Sequence, residues 1–300
     1  MNVAVWVAVA IPIMLGFAPI TQAGTTKIDT KQLDKLRGSV RLPLPDELRD
    51  RVIGRIRTTE RQAVAGAIAG LAVMAVVAVL FGPDEAGGAL ILLGVGVGGG
   101  IGSAVGILSA ARKADPSWQR IARSSAVEST DYVAPRTVIL ARALLGIACV
   151  AAVLGLVAVV GGTLSARQGL TFVLLPFVGA LVCYAALEIL MRLVVERAQR
   201  ATSELELAWD DVLRAHGLRQ AVTSSIVVSA ACAVCVALGL ISAATDAPLS
   251  LIVPASAVGL IGAVAGIVAM IVICTEPAYR VLQQLWPRAA FVVSAEPGLR

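Results

Sequence analysis

The sequence predicts an all-α, polytopic integral membrane protein of seven transmembrane helices. One N-terminal span precedes three helical hairpins, with the N-terminus outside and the C-terminus inside. Three observations carry that expectation. Seven long apolar runs divide the 300 residues; hydrophobic residues make up 58% of the chain against 15% charged; and 23 of the 25 Lys and Arg fall in segments on one side of the runs. A soluble domain carries about a quarter charged residues. Here the charges crowd into short connections and the mean hydropathy is +0.85, so no large water-facing domain is expected.

The runs are Val3–Ile20, Ala63–Phe81, Ala89–Ala111, Thr137–Val160, Leu170–Val195, Val222–Ala244 and Leu249–Cys274. Each holds about 18 residues or more, enough at 1.5 Å per residue to cross a hydrocarbon layer of about 30 Å. Grouped as hairpins they occupy residues 63–111, 137–195 and 222–274, after a first helix at 1–20. A basic cytoplasmic linker with an amphipathic helix is expected at 21–62, a cytoplasmic linker at 112–136, a cytoplasmic amphipathic helix at 196–221 and a cytoplasmic tail at 275–300.

Basic residues mark the cytoplasmic side of a membrane protein. Residues 21–62 carry ten Lys and Arg against six Asp and Glu, residues 112–136 five against three, and residues 192–221 five against five. The alternate connections are short and nearly free of bases: Gly82–Gly88 holds Asp84 and Glu85, Gly161–Gly169 holds Arg167, and Thr245–Pro248 holds Asp246. Their Gly, Pro and Asp suit tight turns between antiparallel helices. The first span is expected to stay on the chain. No basic residue precedes it, Thr21-Gln22-Ala23 is a poor cleavage site, and removal would invert every later loop against the charge rule.

Twenty-one Arg against four Lys, with a single Asn (Asn2), point to a high-GC bacterial gene and hence to the plasma membrane. The pI near 9.2 does not indicate nucleic acid as a partner. The bases sit beside spans, where anionic lipid headgroups at the cytoplasmic face are nearest. A membrane or cytoplasmic protein partner is the other expectation.

The linkers have helical periodicity. Pro45–Arg61 places Leu48, Val52, Ile53 and Ile56 on one face, and Pro116–Ser124 repeats the pattern weakly with Trp118 and Ile121. Ser203–Arg219 opens with a Ser203…Glu206 capping box, carries the stripe Leu205, Trp209, Val212 and Leu213, and has Gly217 as a stop signal. The tail continues the idea with Tyr279, Leu282 and Trp286. The favoured reading is helices lying in the headgroup layer. Arg-Gln-Ala-Val recurs at residues 61–64 and 219–222, where two linkers enter their spans, a match too short in so biased a composition to establish an internal repeat.

Few residues are candidates for chemistry. Gly94, Gly98, Gly102 and Gly106 form successive small-xxx-small steps on one face of the third span. Such steps let backbones approach closely, and Gly66 with Gly70, or Gly262 with Gly266, are the expected mates. Arg142 and Glu188 are the ionisable residues well inside spans. Their positions in one antiparallel hairpin put them at similar depth, so an ion pair is expected, with Arg192 four residues after Glu188 sharing the carboxylate. Structural clamp is favoured over transport site, because two charges make a poor proton relay.

Pro12, Pro176 and Pro254 interrupt spans and are expected to kink them. Cys232 and Cys235 form a CxxC with no charge to activate a thiol, so all five cysteines read as small hydrophobes. His216, the sole histidine, is expected near a helix C-terminus, where a cation suits the dipole. The chain has no HExxH, no G-x-S-x-G and no Lys-Ser/Thr after its glycines. Catalytic, cofactor-binding and metal-ligating residues are therefore all expected to be none. The expected role is a non-catalytic membrane scaffold or accessory subunit. The alternative is a small transporter with a path between the third, fourth, fifth and seventh spans, lined by Ser103, Arg142, Thr171, Glu188 and Ser229.

Overall fold

Backbone groups that lack water must bond one another, and long helices achieve this within one segment. The computed structural model of the protein describes residues 42–81, 87–112, 128–196, 203–243, 249–275 and 280–286, with Leu33, Leu36, Gly38, Val40 and Ala201, and they are nearly all helical. In chain order the helices are α1 (Asp46–Phe81), α2 (Gly87–Arg112), α3 (Ser129–Tyr132), α4 (Pro135–Val160), α5 (Ala166–Gln168), α6 (Leu175–Glu196), α7 (Glu204–Ser242), α8 (Leu249–Thr275) and α9 (Arg280–Leu285). A π-helical turn, Gly169–Leu174, joins α5 to α6.

Five of these segments are long and apolar enough to cross a membrane: Asp46–Val77, Pro135–Val160, Ala166–Glu196, Glu204–Ser242 and Ser256–Thr275. They correspond to five of the seven expected spans. The third expected span is present as α2, whose described apolar stretch, Leu93–Ser109, is shorter. The first, Val3–Ile20, lies outside the described residues, as do Trp118, Ile121 and Tyr279.

Local chemistry explains the helix ends. Asp46 and Glu47 occupy the first turn of α1, where the dipole favours anions. Pro135 opens α4, where its missing N–H has no helical partner to lose. At the other end of α4, Gly162 has φ 75°. That left-handed residue lets the Gly162 and Thr163 amides donate back to Val159 and Ala158 at 3.1 and 2.9 Å, the double bond of a Schellman turn. Ser165 and Gln168 then form a reciprocal capping box on α5. Pro176 cannot donate, and its ring crowds the carbonyl four residues back. The backbone answers with the wider π turn, in which the Leu175 amide donates to Leu170. Pro254 lies within α8, and Pro12 is outside the described residues.

Two linkers differ from expectation. The Pro45–Arg61 and Ser203–Arg219 segments are not separate surface helices; each is the first half of a continuous helix, α1 with 36 residues and α7 with 39. Thirty-nine residues span about 58 Å, roughly twice a hydrocarbon layer. The charged halves of α1 and α7 therefore form a base beyond the apolar halves. Gly217 does not stop α7, because the following Ala221–Ser242 is strongly apolar and finds neighbours on several sides. The amphipathic stripes do not lie flat either. Val52 and Ile56 of α1, Trp209 and Val212 of α7 and Leu282 of α9 bury one another, with Leu33, Val40 and Leu42, in one small core at the charged end.

α7 is the centre of the bundle. In its most apolar 18-residue window 83% of residues are buried, against 6 to 44% for the other four spans. It packs against α8, α4, α6 and α2. Between helices in lipid no hydrophobic drive exists, so close fit supplies the attraction. On α8, Gly259, Gly262 and Gly266 face Ala237, Ala233 and Ala230 of α7. Gly262 and Gly266 thus serve α7 and not the glycine face of α2. That face meets α1: a Cβ on Gly98 would come within 2.2 Å of the Gly66 carbonyl oxygen, and one on Gly94 within 2.5 Å of the Gly70 carbonyl oxygen. Gly102 and Gly106 continue the seam against Gln62 and Thr59.

Gly98→Ala is expected to lower the detergent melting temperature by the equivalent of about 1–3 kcal/mol, since a backbone atom blocks the new methyl. Gly146→Ala, on the open face of α4 with nothing within 4 Å of the new methyl, should leave it unchanged or raise it. Equal melting of the two variants would contradict the seam.

Candidate functional site

Two polar clusters stand out, one anticipated and one not. The anticipated cluster joins α4 to α6. Arg142 donates from Nη2 to Glu188 Oε1 at 3.0 Å and from Nε to Tyr184 Oη at 3.1 Å. Tyr184 in turn donates to the same Glu188 oxygen. Tyr184 therefore bonds the carboxylate in the place expected for Arg192, whose charge acts on it without a hydrogen bond. Arg192 is exposed one turn further along α6, with no hydrogen bond or ion pair among the described residues. The cluster faces outward: the Arg142 side chain is 59% exposed and that of Glu188 27%. It lines no cavity.

The second cluster lies in the base, within a few residues of α7. Trp209 donates from Nε1 to the Pro43 carbonyl at 3.1 Å, outside any helix. Asp210 is buried and accepts from Arg55 of α1 and, at 2.8 Å, from Nε of Arg214 one turn on. Asp211 is wholly buried and accepts from Tyr132 Oη and Trp286 Nε1, each at 2.9 Å. Arg214 also donates to the Val194 carbonyl at 2.7 Å. Val194 is in the last turn of α6, whose carbonyls have no helical partner. Arg51 adds an ion pair to Glu206 at 2.9 Å. Three consecutive residues, with Arg214, thus tie five chain segments to α7.

Burial by itself raises the Asp210 carboxyl, but the Arg214 and Arg55 guanidinium groups outweigh it and hold the group below the usual carboxylate range. A depressed carboxylate stabilises the fold above its unfolded value and loses that contribution as pH falls through the folded one. Tyr132 shifts the other way. Burial, then the negative charge of Asp211, push its hydroxyl well above the ordinary value of 10.0. Its stabilisation is complete below pH 10 and fades as the unfolded phenol ionises above it.

Beside this hub is a small cleft of about 60 Å³ lined in part by Arg55, Glu60, Asp210, Arg214, His216 and Gln220. It has room for a few waters, well below the roughly 300 Å³ of a typical small-molecule site. His216 lies within α7 and not at a helix end, so it meets no C-terminal dipole; its Nε2 is 3.3 Å from Gln220 Nε2. Cys183, Cys232 and Cys235 are buried free thiols. Among the described residues no group of three His, Cys, Asp or Glu is placed to hold a metal ion.

Asp210, Asp211 and Tyr132 were absent from the sequence-based candidates. The available signal was two acids bracketed by Trp209 and Val212 on an otherwise apolar stripe, where ionised groups are out of place unless paired. No protein-family model matches the chain, and no curated protein or solved structure is significantly similar to it.

Asp210→Asn should lower thermal stability in detergent by about 2–4 kcal/mol, because two partly buried guanidiniums lose the counter-charge of a buried carboxylate. Glu188→Gln, on the outer face, should change it by about 1 kcal/mol or less. The reverse order in melting curves would place the structural clamp in the wrong cluster. Tryptophan fluorescence against pH should report loosening above about pH 10 in the native chain. That alkaline limb should weaken in Tyr132→Phe, which has no phenol to ionise.

Proposed function

We propose that the chain is a non-catalytic, multi-pass scaffold or accessory subunit of a larger assembly in a bacterial plasma membrane. In this reading it has seven spans, the N-terminus outside and the charged end cytoplasmic. The Lys and Arg of the charged halves of α1 and α7 support that orientation. The buried polar groups of the base support a non-catalytic role, since Asp210, Asp211 and Tyr132 are all engaged in joining segments.

One observation carries the reading. A transport path between the third, fourth, fifth and seventh spans would run between α2, α4, α6 and α8, and α7 fills that place, packed against all four. The polar residues named for such a path differ in exposure. Ser103, Thr171 and Ser229 are buried, Arg142 is exposed on the outer face, and none of the five candidates lines the cleft. A membrane protein with a filled centre and a bonded base presents surfaces, and surfaces serve partners.

Mild-detergent purification from the native host, with mass spectrometry and particle mass, tests this. A second protein at fixed stoichiometry is the expected result. A lone monomer or homo-oligomer that also catalyses solute flux in liposomes would overturn it.

A further inference from the structure

The outer face of α4 and α6 is aliphatic except at Arg142, Tyr184, Glu188 and Arg192. Its depth follows from the turn at Gly161–Ser165. Arg142 lies 18 residues before Val160, the last residue of α4, and Glu188 lies 22 after Ala166. At 1.5 Å per residue those are about 27 and 33 Å. A hydrocarbon layer is about 30 Å thick. The cluster therefore sits at the far boundary from that turn, where lipid phosphates lie. Arg192, four residues on, reaches about 6 Å further into the headgroup layer.

We propose that this cluster binds the phosphate of an anionic phospholipid. Glu188 and Tyr184 fix the Arg142 guanidinium by its Nε and one Nη2 proton, which leaves three of its five N–H donors for a ligand. Arg192 contributes all of its own. With Glu188 ionised the cluster carries one net positive charge, and a phosphodiester between the two guanidiniums completes it. The same helix faces continue toward the membrane centre as exposed Val153, 11 residues beyond Arg142, and Leu181, 7 before Glu188, at 59 and 41% exposure. Those spacings return to nearly the same helical angle. The result is a charged seat above an aliphatic track, the shape of a two-chain lipid. A partner helix inserted at this face would need its own anion at the headgroup boundary and none of that track.

The inference rests on the chain crossing the membrane. The test is native mass spectrometry of the full chain titrated with phosphatidylglycerol or phosphatidylethanolamine in mild detergent. Wild type should retain phosphatidylglycerol preferentially. Arg192→Gln, which breaks no bond in the structure, should weaken that binding about tenfold. Arg136→Gln, an equal charge removed from a different face of α4, sets the baseline and should change little. If Arg192→Gln matches Arg136→Gln, or if both lipids bind alike, the site is overturned. A protein that covers this face and displaces lipid would overturn it too. Wild-type chain stripped from membranes by alkaline carbonate would instead overturn the membrane reading itself.

Discussion

Two adjacent carboxylates, Asp210 and Asp211, are buried, and the charged end of the molecule is arranged around satisfying both. A buried anion without partners is untenable. Asp210 draws in Arg55 from α1 and Arg214 from α7, while Asp211 draws in Tyr132 from before α4 and Trp286 from after α8. Partners as far as 155 residues along the chain from Asp210 are thereby brought to one turn of one helix. The neighbouring apolar stripe, Val52, Ile56, Trp209 and Val212, excludes water and strengthens each bond.

That base explains the length of α7. A helix that ended at Gly217 would leave the hub and the apolar bundle as separate bodies joined by a flexible link. A continuous α7 makes the hub the foot of the central span. Above it, attraction rests on fit: Ala230, Ala233 and Ala237 lie against the α8 glycines, and Phe172 packs over Gly239 beside the π turn forced by Pro176. α1 is the exception. Its apolar half packs mainly on α2, across the glycine seam, and its lower half is anchored to α7 through Arg55 and the apolar stripe. α1 is thus held at its foot and along the α2 seam, while α2 joins the pair to α7 and α6.

Much of this was legible in the chain. Run lengths and turn residues located the described helices, because lipid permits so few alternatives. The hairpin register brought Arg142 opposite Glu188, and Gly66 and Gly70 opposite the α2 ladder, since antiparallel neighbours fix depth. What was not legible depended on three-dimensional partners. Gly217 is a stop signal only where tertiary packing does not override it. Gly262 and Gly266 have the spacing of a mate for α2, yet spacing does not say which helix will be adjacent. Asp210 and Asp211 read as ordinary solvated charges of an amphipathic helix, because their partners come from positions 55, 132 and 286, far apart in the chain. Tyr184 likewise displaced Arg192 as the third member of the outer cluster. It stands on the same face one turn earlier, closer to where Arg142 crosses.

The two clusters meet at the last turn of α6. Val194 offers its carbonyl to Arg214, which also bonds Asp210. Two residues earlier Arg192 faces outward, and one turn before it Glu188 holds Arg142. A helix end is ordinarily its most frayed part, because four carbonyls lack partners. Here a guanidinium from the central helix caps one of them, with a buried carboxylate fixing that guanidinium. The inner face of the turn is thus held by the base, and the outer face holds two arginines at the boundary of the apolar layer. The hub and the outer cluster are therefore joined through one helix end, by the Arg214 bond to Val194.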